Sequence, residues 1–371
     1  MKLSRKENTK MAKSARKVLV IPNITNSRNP DADSFIDVVH NHITALESLG
    51  DYHWHIILRE FVGRLDLPNV SQHIVPISGD MIHMRVVFPK EVIKLLLNLD
   101  YDVIYSHLPD WYMVKRYTQK PTYGYAHWWE LKTSNPEDRK NRSRNIPAEI
   151  IGTLHMEKCF LNTHDQKNRV VNEARLWFNE DKVSQLNSIL EVWHLGVPSD
   201  HIVEKPARKK KEIVFNHRAA GYKGYPTFIK MMKEYRKRRK DFTVWVPQLK
   251  GKPSENWIDN TKVPKKDYYN RLGRAVAGIQ MRQKNYGWSV AATDCMMNGT
   301  PVVFQDSDCY REIDPNGLFF TRKKNFFEIL DRLLDDPKFR RHQAMRSIQR
   351  SWDLHKEDSH MIKQLHDYLS H

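Results

Sequence analysis

The sequence predicts an α/β protein built from two Rossmann-like domains that face each other. Short, continuous apolar runs such as Lys17–Pro22 alternate with amphipathic helical segments, which is the pattern of parallel strands buried on both faces of a sheet. The alternation stops at a basic stretch, residues 206–211, and then starts again. Two such arrays predict two domains with a cleft between the carboxyl ends of their strands.

The first array follows a polar and charged tail, residues 1–16, which we expect to be disordered. The N-terminal domain is predicted to span residues 17–204. It contains a polar, basic loop at residues 133–147, which fits either a solvated excursion or a contact to an anionic acceptor. The predicted strands are residues 17–22, 53–58, 74–77, 102–106, 121–126, 159–163 and 192–197, and the predicted helices are residues 35–49, 89–99, 114–118 and 165–176.

The second array follows a charged linker, residues 205–211, and is predicted to form a domain at residues 212–340. Helical residues 341–371 are expected to close the chain and return towards the N-terminal domain. The predicted strands are residues 212–215, 242–246, 275–280 and 301–304, and the predicted helices are residues 225–237, 265–272, 291–297, 326–334 and 341–369.

The amino-acid composition and net charge indicate which classes of partner to expect. The 371 residues carry 61 Lys plus Arg against 44 Asp plus Glu, a formal charge of +17, which favours an acidic partner such as nucleic acid, anionic lipid or a phosphorylated substrate. Cys159, Cys295 and Cys309 have no metal-ligand spacing, so we expect a reducing cytoplasm, that of the host if the protein is viral. Without an apolar run of about 18 residues, neither export nor a transmembrane segment is predicted.

The stretch Tyr286–Phe304 combines features of an anion site. It predicts a loop containing Gly287, a short helix, a tight turn at residues 298–300 and a buried strand. Free N–H groups and the dipole at a helix start favour a phosphate. The same residues also fit an ordinary α/β turn with a packing helix.

Short motifs stand at the strand ends of the first half. They are Asp102–His107, Tyr123–His127, Leu161–Asp165 and His194–Val197. In the second half, Asn216–Gly224 contains Arg-x-x-x-x-Lys-Gly.

These motifs, taken in order with Tyr286–Val302, resemble those of the retaining nucleotide-sugar glycosyltransferases of the GT-B fold, in particular the glycogen-synthase-like family 4. Tyr286–Val302 is similar to that family's Glu-Gly-Phe-Gly-x-x-x-x-Glu-Ala-Met-Ala-x-Gly-Thr-Pro-Val. The resemblance implies a GT-B protein with a nucleotide-sugar donor, UDP-sugar favoured, and no required cofactor.

The resemblance also implies a set of donor-binding residues. A pyrophosphate leaving group needs cations and N–H groups, and we assign Arg218, Lys223 and the helix start near Ser289 to it. Asp294 stands at the position of the family's second Glu, which accepts hydrogen bonds from ribose hydroxyls. The predicted donor-binding residues are Arg218, Lys223, Tyr286, Gly287, Trp288, Ser289 and Asp294.

The chain departs from the family pattern at two places. Tyr286 replaces the first Glu, which leaves the sugar and the retention of configuration open. Residues 24–27 replace the family's Gly-Gly loop, so an unusual acceptor is expected.

Polar and aromatic residues follow the strand at residues 121–126. His127 is a candidate catalytic residue that could bind the donor sugar or a developing charge, or could be structural. Glu130 is a candidate general base if the enzyme inverts configuration, and otherwise a surface residue. A Trp pair could stack on a sugar or an extruded base, although core packing is an alternative for one of the two. The acceptor-side candidates are His107, Asp110, Trp128 and Trp129.

Asp306 and Asp308 form an Asp-x-Asp, a metal-binding motif in the other glycosyltransferase fold. Here the motif follows the strand at residues 301–304, where the resembled family has a polar loop leading to a Glu such as Glu312. We therefore predict no metal site.

The favoured acceptor is a hydroxymethylated pyrimidine in DNA, which some phage enzymes of GT-B fold glycosylate. The net charge, the Trp pair and the missing acceptor loop support this hypothesis. One alternative is a glycosyltransferase that acts on a lipid or surface polysaccharide at the membrane. A second is a catalytically inactive nucleic-acid-binding protein, which would agree with Tyr286 in place of Glu.

Overall fold

The chain forms two compact units. One comprises the described parts of Met1–Leu108, Met113–Tyr123 and Ile362–His371, and the other comprises the described parts of Gly124–Met361. The computed structural model describes residues 15–22, 34–59, 62–67, 69–75, 90–108, 115–126, 145–282 and 287–371.

A seven-stranded sheet has the order β3-β2-β1-β4-β5-β6-β7, which is the strand order of a Rossmann fold. β1 pairs in parallel with both β2 and β4, as the continuous apolar runs predict. The strand expected at residues 74–77 overlaps β3, which begins earlier, at Val70; residues 76 and 77 lie outside the described residues. The strands are β1 (Arg16–Ile21), β2 (Tyr52–Arg59), β3 (Val70–Val75), β4 (Val103–Ser106), β5 (Thr122–Ala126), β6 (Lys158–Leu161) and β7 (Leu190–Val192).

Two helices in this half were not predicted. One begins at Asn145, inside the expected loop at residues 133–147, and the other has Asn179 as its N-cap and buries Val183, Leu186 and Ile189. That spacing places three apolar side chains on one face of a short helix. The helices of this half are α1 (Ser34–Glu47), α2 (Lys90–Asn98), α3 (Asn145–Leu154), α4 (His164–Ala174) and α5 (Glu180–Ile189).

A six-stranded sheet has the order β10-β9-β8-β11-β12-β13. Its first strand begins at Lys210, within the stretch expected to be linker. The strands are β8 (Lys210–Val214), β9 (Thr243–Trp245), β10 (Ile258–Asp259), β11 (Ala275–Gln280), β12 (Val302–Gln305) and β13 (Leu318–Phe320), and the helices are α6 (Tyr225–Arg238), α7 (Lys265–Arg274), α8 (Val290–Met297), α9 (Asp308–Ile313), α10 (Lys323–Asp335) and α11 (Pro337–Ser370).

Both faces of this second sheet are covered by apolar cores. Ile213 belongs to one core cluster and Val214 to the other. Successive side chains of a strand point to opposite faces, so one apolar run supplies both layers. Two parallel sheets with helices against them confirm the predicted α/β class.

The end of α11 packs in the first unit. The Arg16 side chain donates from Nε to the Leu369 carbonyl oxygen at 2.9 Å, and the Tyr52 hydroxyl lies 2.6 Å from His366 Nδ1. This agrees with the expectation that the C-terminal helix packs back on the first domain.

The three cysteines are buried and none forms a disulfide. Burial raises the pKa of Cys159 and Cys309 to about 12, so both thiols stay protonated near neutral pH. Among the described residues, no helix combines the length and hydropathy needed to cross a bilayer.

Candidate donor site

The carboxyl ends of β8, β11 and β12 lie side by side, because these strands are neighbours in a parallel sheet. β8 ends at Val214 and is followed by residues 215–218, the last of which is Arg218. β11 ends at Gln280. α8 begins directly after Ser289. Ligands of such sheets bind at this edge, so the fold brings the Arg218 loop and the start of α8 to the expected place.

A buried polar cluster joins these segments. His217 Nε2 hydrogen-bonds Gln280 Oε1, and the Ser289 hydroxyl donates to the same oxygen at 2.8 Å. Because Gln280 Oε1 only accepts, His217 carries its proton on Nε2. Burial and the nearby charge of Lys223 lower the pKa of His217 to about 3, against the opposing effect of Gln280. His217, Gln280 and Ser289, the His217 cluster, are therefore neutral at pH 7.

The start of α8 has the features of an anion site. Ser289 is the N-cap, and its Oγ accepts a hydrogen bond from the Ala292 N–H at 3.2 Å. The first turn of α8 contains no acidic residue. The Ser289 hydroxyl thus caps the helix start, and no carboxylate of the first turn balances its partial positive charge.

Two cations stand on the loop that follows β8, near the His217 cluster. Arg218 is exposed and directly follows His217, and Lys223 ends a short 3-10 turn at residues 221–223. Gly224 follows with φ +76°, and a Cβ there would come within 2.6 Å of Met281 Cβ, so a glycine is needed for the loop to lie against the end of β11. Burial, and then repulsion by Arg218, lower the pKa of Lys223 to about 8.

Asp294 is held on α8 by a chain of hydrogen bonds. The Tyr268 hydroxyl donates to Asp294 Oδ2 at 3.1 Å, and Asn216 Nδ2 donates to the Tyr268 oxygen at 3.0 Å. Asn216 Nδ2 also donates to the Ala291 carbonyl oxygen at 2.8 Å. Asn216, two residues after β8, therefore connects α7 and α8, and through Tyr268 it helps to orient the half-buried Asp294.

The remaining donor-side residues are placed differently. Trp288 is buried, and its indole stacks on the His194 ring with centroids 5.3 Å apart. The Gly287 carbonyl oxygen accepts from Cys309 Sγ at 3.3 Å, and a Cβ at Gly287 would meet no described atom within 4 Å. Trp288 thus packs behind the loop. Tyr286 lies outside the described residues.

A second, charged cluster surrounds the start of α4. Glu312 accepts hydrogen bonds from the first two N–H groups of that helix, at 2.6 and 2.9 Å. His194 lies between two carboxylates, with Nε2 at 3.2 Å from Glu312 Oε2 and Nδ1 at 2.9 Å from Glu357 Oε2. Burial opposes the charged ring, but Glu312 and Glu357 outweigh it and raise the pKa of His194 to about 8. His194, Glu312 and Glu357 form the Glu312 cluster.

Of the predicted acceptor-side residues, only His107 lies among the described residues. His107 is fully buried, and its ring packs edge-on against Tyr105 with centroids 4.9 Å apart, so it does not reach the surface of its unit. Its backbone N–H donates to the Ile21 carbonyl oxygen at 2.8 Å. The other candidates lie outside the described residues: Asp110, His127, Trp128, Trp129 and Glu130.

The two acids of the Asp-x-Asp motif have structural positions, Asp306 in an ion pair and Asp308 at the start of a helix. Both oxygens of Asp306 accept from the Arg311 guanidinium, at 2.8 and 2.9 Å, and Asp308 begins α9. Within the described part of the chain, no group of three or more His, Cys, Asp or Glu side chains could hold a metal ion.

The sequence did not identify the partners that hold the donor site. In the sequence, His217 stands out only as the neighbour of Arg218, and no motif marks Gln280 or Tyr268 as a site residue. The Asn216–Tyr268 and His217–Gln280 contacts join residues 52 and 63 positions apart. Such pairings depend on strand order, which no short motif encodes.

The architecture defines the class: the chain has the GT-B fold. It is similar along its length to sucrose-phosphate synthase from Thermosynechococcus elongatus, at 12% identity with a TM-score of 0.72, covering 95% of this chain and 99% of that one. It is also similar to Anabaena HepE in complex with UDP and glucose, at 12% identity, TM-score 0.68, covering 96% and 99%.

A third similar structure is the N-terminal domain of Candida albicans trehalose-6-phosphate phosphatase, at 11% identity, TM-score 0.70, covering 97% and 98%. No protein-family model and no curated protein sequence matches the chain. Identities this low show the fold and leave the activity to the site.

Proposed function

We propose that this protein is a glycosyltransferase that moves a hexosyl or pentosyl group from a nucleotide-diphosphate donor to a hydroxyl. One observation carries the proposal: Arg218 and Lys223 stand together at the carboxyl edge of a parallel sheet, beside a helix start whose first turn has no acidic residue. Two cations and a helix start suit a diphosphate, which carries about two negative charges.

The reaction needs a stabilised leaving group. The bond between the anomeric carbon and the donor phosphate oxygen breaks, and a bond to the acceptor oxygen forms. The acceptor hydroxyl proton passes to a base, and the nucleoside diphosphate departs with the electron pair. Arg218 and Lys223 neutralise that diphosphate, and the N–H groups after Ser289 bind it.

Asp294 completes the donor side in this proposal. Its Oδ2 is oriented by Tyr268, and the carboxylate is assigned to the ribose hydroxyls. Gly287 and Tyr286 belong to the same loop, and Trp288 supports it from the core. A UDP-sugar is the favoured donor, because HepE, which shares the fold, was solved with UDP and glucose. His127 and Glu130 remain the proposed catalytic residues on the acceptor side.

The favoured acceptor is a hydroxymethylated pyrimidine in DNA. The formal charge of +17 supports a polyanionic acceptor. Trp128, Trp129, His107 and Asp110 stay the proposed acceptor-side residues, although burial of His107 limits it to a supporting role.

A lipid or polysaccharide acceptor at a membrane is the second candidate. Leu176 and Trp177 follow α4 and are 66% and 46% exposed. Adjacent exposed Leu and Trp side chains are typical of an interfacial contact. The basic and acidic residues around them are mixed, so the electrostatic attraction that normally accompanies such a contact is weak there.

Donor binding tests the enzyme proposal. Purified protein is heated with UDP-, GDP-, ADP- and TDP-sugars, and slow donor hydrolysis is followed in parallel. A donor at 100 times its Kd stabilises the protein by about 2.7 kcal/mol. The Arg218→Ala/Lys223→Ala double variant is the control and should not respond. If no donor shifts the melting of the wild type and none is hydrolysed, the enzyme proposal is wrong.

Product mass tests the acceptor. The protein and a responding donor are incubated with hydroxymethylated DNA, unmodified DNA or anionic lipid vesicles, and the products are weighed after digestion. A hexose or pentose added only to the modified nucleoside is expected. Transfer to lipid alone would replace the DNA acceptor with the membrane alternative.

A further inference from the structure

A lysine-rich surface follows β9 and β10. Lys250, Lys252, Lys262 and Lys266 are all exposed. Within the described chain none of them forms an ion pair, whereas the adjacent Lys233 binds Glu255 at 2.8 Å. We call these side chains the lysine surface.

The loop that carries the lysine surface is fixed by its own hydrogen bonds. Asn260 Nδ2 donates to the Gly251 carbonyl oxygen at 2.6 Å, which ties the segment holding Lys250 and Lys252 to the segment holding Lys262. The backbone of β9 joins in, since the Val246 N–H donates to the Asp259 carbonyl oxygen at 2.8 Å. Lys250, Lys252 and Lys262 therefore lie on two connected segments on either side of β10, and Lys266 follows in the first turn of α7.

Two of the acidic residues in this segment already have partners. Glu255 pairs with Lys233, and Asp259 accepts from the Thr261 N–H at 2.8 Å through Oδ1 and from Arg271 at 2.6 Å through Oδ2. Asp267 stands next to Lys266 in the first turn of α7, where a carboxylate complements the helix dipole.

Topology places the lysine surface beside the donor site. β9 is the neighbour of β8 in the sheet, and both are parallel, so their carboxyl ends share one edge. The Arg218 loop follows β8 at that edge. A polyanion on the lysine surface would thus lie next to the bound donor.

The basic run at residues 236–240 differs from the lysine surface in its partners. Arg239 binds Asp335 and Asp241, and Arg238 binds Asp331. Arg236 donates to the Lys240 and Phe242 carbonyl oxygens. Protein groups therefore hold the three arginines of that run, whereas none of the four lysines of the lysine surface forms an ion pair within the described chain.

We propose that the lysine surface binds the phosphate backbone of a nucleic acid. The proposal rests on the proposed function in one respect, because it takes this nucleic acid to be the acceptor of the transferred sugar. A lipid surface is disfavoured because the loop exposes no large apolar side chain for insertion, and its Trp257 is buried. The large apolar side chains that the described chain does expose lie elsewhere: Leu49, Ile74, Leu97, Leu176, Trp177 and Met345.

Salt-dependent binding tests this surface. Fluorescence anisotropy measures the affinity for hydroxymethylated and unmodified duplexes across a salt series. Each lost phosphate contact reduces the slope of log K against log salt by about 0.9. Replacing all four lysines of the surface by glutamine should therefore lower the slope by roughly 3 to 4 and weaken binding at low salt at least tenfold.

A charge-matched variant is the control. It replaces four lysines that lie outside the surface and already pair with acids, so its net charge equals that of the first variant. It should keep most of the slope. Both variants should keep the donor-induced melting shift, which verifies folding. The control substitutions are Lys158→Gln, Lys211→Gln, Lys323→Gln and Lys324→Gln.

The outcomes separate the two proposals. An equal loss of slope in both variants, an unchanged slope in the surface variant, or wild-type binding to anionic vesicles but not to DNA would each overturn the lysine surface as a nucleic-acid site. If the surface variant loses DNA binding while the wild type transfers no sugar to any DNA, the surface stands and the proposed function fails. If the wild type transfers sugar to DNA but the surface variant keeps the wild-type slope, the proposed function stands and the lysine surface is not the nucleic-acid site.

Discussion

Two helix starts in the same unit differ in what balances their positive end. α4 has Thr163 as its N-cap, and the Glu312 carboxylate in addition accepts hydrogen bonds from the first two N–H groups of the helix. α8 is capped by the Ser289 hydroxyl and has no acidic residue in its first turn. Both helices have the same dipole, but α4 is satisfied by the protein and α8 is suited to an external anion.

The histidines beside the two helices show the same difference. His194 lies between two carboxylates, and its pKa is raised to about 8. His217 lies among neutral groups and near Lys223, and its pKa is lowered to about 3. One residue type is thus a cation in the structural cluster and neutral in the donor site, because only the first has carboxylate partners.

The largest expected effect is on kcat/KM and follows from removing the cations of the proposed diphosphate site near α8. Arg218→Ala and Lys223→Ala each remove a cation from the proposed diphosphate site, so each should lower kcat/KM by about 10²- to 10³-fold, or roughly 3–4 kcal/mol in transition-state terms. Steady-state kinetics with the responding donor measures this. Lys223→Arg is the control that keeps the charge. Full activity in both alanine variants would remove the diphosphate assignment.

The next effect concerns the α4 side. Glu312→Gln keeps the size of the side chain but replaces one of the two accepting oxygens with a donor and removes the charge that faces His194. We expect a loss of about 1–3 kcal/mol in the free energy of unfolding, measured in urea. Glu357→Gln removes the other charge and keeps the cap, so it should cost less. A larger loss for Glu357→Gln would show that the cap is not the main contribution.

The smallest effect is a dependence of stability on pH. The pKa of His194 rises from about 6.5 in the unfolded chain to about 8 in the fold, so its stabilisation is complete below pH 6.5 and is lost as the pH rises through 8. The loss should be about 1–2 kcal/mol.

Lysines with lowered pKa values, such as Lys209 and Lys223, change stability with the opposite sign. The informative quantity is therefore the difference between wild type and His194→Gln in urea unfolding at pH 6 and pH 9. That difference should shrink at pH 9. An equal difference at both pH values would mean that His194 is not the titrating group.

Local patterns predicted most of the second half of the fold. The strand at residues 275–280 and the helix starting at Lys265 lie where the apolar runs and the charged flanks place them. α9 and the short β13 were missed, since each is too short to show periodicity. α3 was missed because its first residues fall in a polar, basic stretch.

For the proposed donor site, the sequence supplied the candidate cations and the candidate helix start, but not the contacts that support them. Arg218, Lys223 and Ser289 could be named because a diphosphate requires cations and N–H groups. Trp288 was placed on the ligand side, but the structure packs it against His194. Whether an aromatic ring faces a ligand or a core depends on neighbours that are far apart in sequence.

By itself, the sequence determined the α/β alternation, the basic charge and the candidate residues for a diphosphate, because these depend on local periodicity and side-chain chemistry. Tertiary structure decided which charged side chains are paired. Strand order brought Glu312 to α4 and His217 to α8, and Arg238 and Arg239 pair with acids, whereas the lysine surface has no ion pair within the described chain. Electrostatic energies depend on distance in space and on burial, and neither can be read along the chain.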